Sequence, residues 1–369
     1  MTSSAKIRSG LIAAVCLLAP LLSVAQQWGG DKHEHLRSFR VPESTATYPL
    51  SINDGRTVTG YYISNAGVTG GFVRSSEGQI TTFSVPGSAT TVPVGINTAG
   101  DITGYYQVAT NNVLGSPQGF VRTPDGNITT FTGYNSNGLT PVSINVAGEI
   151  VGNFPDEAQG ANVFLRSTSG VISTTTLSEG ALYPTLVTGL NASGAIVGYD
   201  SSQSINVAQG FLWDGQGPLP SPVSSAGVTG IVVPGSTGTF PTALNADETV
   251  VGCYTVNSVY YDFVRDPDGT ITTLNIPGTV PGCIASFNFP VEIVAVPQSI
   301  TLNDDGTITG YFTNTAKASV GFVQFSDGKL ITFDHPGSMQ TIPTSINDGD
   351  VITGYYSRGS EIVGFIRER

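Results

Sequence analysis

One phrase recurs seven times along the chain. Ile52-Asn53, Ile96-Asn97, Ile144-Asn145, Leu190-Asn191, Leu244-Asn245, Leu302-Asn303 and Ile346-Asn347 each precede a turn. A short strand-like run ending in glycine follows each, at Gly60, Gly104, Gly152, Gly198, Gly252, Gly310 and Gly354. The Asn-to-Asn spacings are 44, 48, 46, 54, 58 and 44 residues. A period in the forties with several β-like runs per unit marks a β-propeller or a related array, in which each unit buries its apolar face only against its neighbours.

The unit reads as four strands. In the first, Ser51-Ile52-Asn53 closes an inner strand, Thr57 to Tyr62 forms a second, Gly71-Phe72-Val73-Arg74 a third and Ile80 to Val85 a fourth. Asp54-Gly55 and Glu77-Gly78 supply turns. The seventh copy stops at Arg369, directly after its third strand. The missing fourth strand is found at the other end, where Ser38-Phe39-Arg40-Val41-Pro42 matches the Phe83-to-Pro86 pattern. The expected fold is therefore an all-β, seven-bladed β-propeller of four-stranded antiparallel blades over residues 38–369, closed by an N-terminal strand that completes the last blade.

Residues 1–25 read as a signal peptide. Lys6 and Arg8 precede an apolar run from Leu11 to Leu22, too short to span a bilayer comfortably, and Ser23-Val24-Ala25 offers small residues for cleavage. A tail of residues 26–37 follows, no transmembrane segment is expected in the mature chain, and the expected location is outside the cell or in the periplasm. The leader holds two of the 15 basic residues and none of the 27 acidic ones, so the mature chain is more acidic than the formal net charge of −12. Such a chain has no electrostatic footprint for nucleic acid. Cys253 and Cys283 remain after processing, and an even count in an exported chain permits a disulfide.

The phrase "Ile-Asn, turn, Gly-Tyr, Gly-Phe-Leu-Trp or Gly-Phe-Val-Arg, Asp-Gly" resembles the bacterial extracellular HAF-repeat proteins. The match is closest at Gly210-Phe211-Leu212-Trp213-Asp214-Gly215 and extends over roughly residues 38–369. No copy here has His-Ala-Phe; Gly-Phe or Asp-Phe stands there instead. The resemblance implies secretion and a propeller-like repeat, and it hands over no catalytic residues.

In a repeat protein the recurring residues are mostly scaffold, and departures from the pattern are candidates for function. The seven asparagines read as turn residues. The arginines Arg74, Arg122, Arg166, Arg265 and Arg367 read as partners of turn acids such as Glu77 and Asp125. Tyr61, Tyr105, Tyr199, Tyr311 and Tyr355 share one position, replaced by Asn153 and Cys253 in the third and fifth copies. They either pack between blades or form a ring of phenols able to stack on sugars and bond their hydroxyls. The fifth copy has an insert, Thr279 to Gln298, carrying Cys283, Phe287, Phe289 and Glu292. A Cys253–Cys283 bridge would pin it over the mouth on the variable-loop face, where binding residues concentrate.

Catalytic constellations are thin. The histidines are His33, His35 and His335, which give no triad and no metal site. Asp156, Glu157, Asp262, Glu292, Asp334 and Glu361 could serve a glycosidase, but their spacing selects no pair. No cofactor is expected. The expected function is that of a secreted, non-catalytic binding module whose ligand is a carbohydrate or cell-envelope component. The alternatives are a carbohydrate-active lyase or hydrolase on the same scaffold, and a structural envelope protein.

Overall fold

The computed structural model describes residues 36–133, 138–156, 160–175, 185–202, 207–217, 219, 227–276, 280–281, 300–314 and 316–369. These residues fold into β-strands joined by turns, with no helix among them. The architecture is all-β and propeller-like. In the first repeat the strands are Ser44–Ile52, Val58–Ser64, Thr69–Arg74 and Ile80–Phe83, paired antiparallel in chain order. The same antiparallel order recurs in the later repeats. Leu36–Phe39 pairs antiparallel with the last strand, Glu361–Arg367, with Phe39 opposite Gly364.

Turn chemistry accounts for the strand ends. Each phrase asparagine accepts, on its Oδ1, the N–H of the residue four positions on, at 2.8–3.0 Å in all seven repeats. This is the local side-chain-to-backbone bond that makes Asn a turn former. The third and fourth strands of repeat 1 are joined by Ser75 to Gln79, where Gly78 has φ +91°, a conformation that favours glycine. The inner strands carry a β-bulge just before the phrase, as between Pro93 and Gly95.

The core lies between repeats. The third-strand phenylalanines Phe72, Phe120, Phe164, Phe211, Phe263, Phe322 and Phe365 are fully buried. In four junctions a phenylalanine from the preceding outer strand meets one of them edge-on: Phe39 on Phe72, Phe83 on Phe120, Phe131 on Phe164 and Phe333 on Phe365, at 6.0–6.2 Å. The other face of each outer ring carries an arginine at 4.9–5.1 Å: Arg74 on Phe39, Arg122 on Phe83, Arg166 on Phe131 and Arg367 on Phe333. The expected ion pairs with turn acids do not form. The guanidinium groups of Arg74 and Arg122 lie over the rings and donate to the carbonyls of Ser75 and Thr123. Glu77 is taken by Ser76, and Asp125 by Thr123 and Asn127.

A second set of bonds joins the repeats near their inner strands. Asn53, Asn97, Asn191, Asn245 and Asn303 each donate their Nδ2 hydrogen to the carbonyl of the next phrase asparagine, at 3.0–3.4 Å. Asn347 makes the same bond to Asn53, from the last repeat to the first, at 3.0 Å. The junction of repeats 3 and 4 is made differently. Asn145 donates to Glu149 of its own turn. Asn153 takes over, donating to Val187 O at 3.2 Å and accepting from Val187 N at 2.9 Å. Asn153 stands where most repeats have tyrosine and is 6 % exposed. Asn153→Ala removes both bonds and leaves two backbone groups of Val187 without their side-chain partner. The expected loss is about 2–4 kcal/mol, read as a lowered midpoint in urea denaturation.

Candidate functional site

Two ends of the inner strands are chemically distinct. At the phrase end, a cavity of about 190 Å³ is lined by the asparagines of all seven repeats together with Asp54, Asp304 and Asp348. Each of these aspartates accepts a backbone N–H from the preceding repeat or the last one: Ala246 to Asp304, Asp304 to Asp348 and Asp348 to Asp54, at 2.8–3.1 Å. Burial, and then the neighbouring carboxylates Asp54, Asp304 and Asp305, hold the Asp348 carboxyl above its ordinary value against the opposing Asp304 N–H. Deeper along the inner strands, a second cavity of about 190 Å³ is lined by small and hydroxyl-bearing residues, among them Ser51, Gly95, Ser143, Thr188 and Thr242.

At the other end of the inner strands lie the phenols. Tyr48, on the first inner strand, pairs in register with Tyr61 on the second strand. Their rings stack at 4.7 Å with 21° between planes. Tyr355 of the last repeat meets Tyr48 edge-on at 5.0 Å. Burial, followed by the nearby Tyr48, Tyr105 and Tyr355, pushes the Tyr61 phenol well above its ordinary value. Burial raises Tyr311 too, with smaller contributions from Tyr355 and Asp262. Tyr311, Tyr355, Tyr48, Tyr61 and Tyr105 therefore make an arc through repeats 6, 7, 1 and 2.

Four of the five tyrosines expected from the sequence join this arc. Tyr199 packs instead edge-on against Phe240 at 5.1 Å. Tyr61, Tyr105, Tyr199 and Tyr311 are buried, Tyr105 to 2 % exposure, while Tyr355 and Tyr48 are half-buried. The accessible aromatic surface of the arc is thus the Tyr48–Tyr355 edge. Cys253 is fully buried. Its expected partner Cys283, and Phe287, Phe289 and Glu292 of the insert, lie outside the described residues.

Among the candidate carboxylates, Glu361 pairs with Arg40 at 2.8 Å. Asp262 is 2 % exposed and sits in register between Cys253 and Leu274. His335 stacks flat on Tyr356 at 3.8 Å. No group of three His, Cys, Asp or Glu able to hold a metal occurs among the described residues. One member of the arrangement escaped the sequence reading as a site residue. Tyr48 sits one strand away from the tyrosine column, although its position holds Val92, Leu186, Phe240 and Ile342 in other repeats. Asp262 stood out in sequence twice, as one of the candidate carboxylates and as a break in the Gly-Phe pattern.

No protein-family model matches the chain, and no curated protein does. Solved structures do. A streptogramin B lyase aligns with a TM-score of 0.57 at 13 % identity, covering 91 % of this chain and 98 % of that one. An oligogalacturonate lyase from Vibrio parahaemolyticus aligns at 0.54 and 9 % identity, covering 90 % and 96 %. A puromycin hydrolase aligns at 0.53 and 13 % identity, covering 87 % of this chain and 52 % of that one. At such identities the likeness shows the fold alone, which is β-propeller-like. No helix among the described residues is long and apolar enough to cross a membrane.

Proposed function

We propose that the chain is an exported seven-bladed propeller of the HAF-repeat kind, closed by its N-terminal strand, that acts as a binding module at its tyrosine end. Residues 1–25 are its leader, and a Cys253–Cys283 disulfide holds the fifth-repeat insert at the same end. The ring reading is supported by the Asn347-to-Asn53 bond, which repeats the bond between earlier neighbours. It is supported too by Phe39, which occupies against Phe72 and Arg74 the place that Phe83 occupies against Phe120 and Arg122.

The observation that carries the binding reading is the Tyr48–Tyr61–Tyr355 cluster, contributed by the first and last repeats and half-open at Tyr48 and Tyr355. Flat aromatic faces with phenol hydroxyls at their rims suit carbohydrate: rings cover the apolar C–H face of a sugar while the hydroxyls exchange hydrogen bonds. The ligand class is therefore a polysaccharide or a glycan of the cell envelope. A glycan array carrying polysaccharides and wall fragments, followed by titration of the best binder, tests this. Tyr48→Ala and Tyr355→Ala are each expected to weaken binding by about tenfold, the worth of one aromatic contact, with the circular dichroism spectrum retained. Binding to no member of the array, or full binding by both variants, overturns the carbohydrate reading and leaves a structural envelope role.

A further inference from the structure

The third strands read Gly-Phe at Gly71, Gly119, Gly210, Gly321 and Gly364, with Val163 in repeat 3 and Asp262 in repeat 5. The glycine is required by close packing. A Cβ on Gly71 would stand 2.7 Å from the Phe83 ring and 2.8 Å from Pro93 of the next repeat. On Gly321 it would stand 2.7 Å from Phe333 and 3.0 Å from Pro343. A glycine, an outer-strand aromatic ring and the next inner-strand proline fill one slot together. At the junction of repeats 5 and 6 the set is exchanged in sequence: Asp262 for glycine, Leu274 for the aromatic ring and Ser299, outside the described residues, for proline.

Asp262 thereby places a carboxyl in an interior slot. It is 2 % exposed, and its Oδ1 has no hydrogen-bond partner among the described residues. Each element packed on its strand shows what faces it. The second strand presents Cys253 and the outer strand Leu274. Repeat 6 presents the Tyr311 phenol, whose own proton the Asp262 charge helps retain. The Val280–Pro281 segment carries no titratable group. Arg265, three residues along the same strand, projects from the opposite face and donates to Asp266 O. Among the described residues, no cation meets the carboxyl.

We propose that Asp262 is a pH-operated latch at the junction of repeats 5 and 6, closed while its carboxyl is protonated and loosened when the proton leaves. A neutral carboxyl is tolerated among Leu274, Cys253 and Tyr311, whereas a carboxylate there has lost its hydration and, among the described residues, gained no partner on Oδ1. Burial pushes the group up to about 7 from an ordinary 3.8. Because the folded value is the raised one, this group's stabilisation is full below the unfolded value and is lost as pH rises through about 7. The latch stands apart from the binding reading and holds whether or not a glycan is found.

The test is equilibrium unfolding of the full mature chain in urea across neutral pH, for the wild type, D262N and D262G. Between about pH 5.5 and about pH 8.5 the wild-type folded-to-unfolded ratio is expected to fall about thirty-fold relative to D262N. All three proteins keep His335, so the difference isolates Asp262. D262G restores the glycine of the other repeats and serves if the amide fails to fold. Infrared difference spectra of the wild type supply a second reading: the C=O band of a protonated carboxyl should vanish as pH passes through neutrality. Parallel pH profiles for wild type and variants, or no such band in the wild type at acid pH, overturn the latch.

Discussion

A chain that begins at Glu43 is expected to melt about 10 °C or more below one that retains Leu36 to Pro42. The lost segment pairs residue for residue with the last strand, Leu36 opposite Arg367 through Phe39 opposite Gly364. Phe39 packs edge-on against Phe72 and lies under Arg74. A Cβ added to Gly364 would come within 2.8 Å of its ring, which measures how closely Phe39 fills the slot. Val41 is buried in the same cluster as Phe72 and Ile366. The Tyr356 hydroxyl donates to Ser38 Oγ at 3.0 Å. Removing Phe39 and Val41 forfeits roughly 2–3 kcal/mol of apolar burial each, and an unpaired strand edge is left exposed. Since each kcal/mol moves the melting point of a chain this large by about 2 °C, the drop is easily read by calorimetry. A synthetic peptide of residues 36–42 should recover part of it. An unchanged melting temperature would refute closure by this strand.

Gly104→Ala is expected to cost at least about 3 kcal/mol and to cut the yield of folded protein. The second-strand glycine sits where the bulged inner strand crosses closest. A Cβ on Gly104 would lie 2.2 Å from Val92 O and 2.7 Å from Pro93 Cα. On Gly60, Gly152, Gly198, Gly252 and Gly354 the nearest atom is again an inner-strand carbonyl oxygen, at 2.0–2.3 Å. These are backbone atoms of a paired strand and cannot swing aside as a side chain can. Gly87→Ala is the comparison: φ is +78° there but no atom lies within 4 Å, so only about 1 kcal/mol of backbone strain is expected. Denaturant midpoints of the two variants, measured together, separate steric contact from conformational preference. Equal losses would refute the close approach.

The strands were legible because their signals are local. Asparagine, glycine and the alternation of Thr, Val and Tyr act within a few residues, and each repeat states them again. The partners of individual side chains were not, because they come from one repeat away. Glu77 is three residues from Arg74 in the chain, so an ion pair is the natural expectation, yet Arg74 lies on Phe39. Asn153 looked like a plain replacement for tyrosine and is the clamp to Val187. The column of five tyrosines was visible in sequence, but nothing in it separated a buried phenol such as Tyr105 from the half-open Tyr355. That distinction depends on Tyr48, which belongs to a different strand.

The ion pairs among the described residues are Arg37–Glu368, Arg40–Glu361, Arg56–Glu368 and Arg369–Asp350. All four gather around the last strand, where Leu36–Phe39 pairs with it. Most other junctions carry the asparagine-to-carbonyl bond between neighbouring repeats, a neutral contact that dissolved electrolyte screens weakly. Among the described residues, these pairs are where electrolyte has opposite charges to screen. Brine would ease the seam between Leu36–Phe39 and the last strand first, and leave the amide-bonded junctions nearly as firm as in dilute buffer.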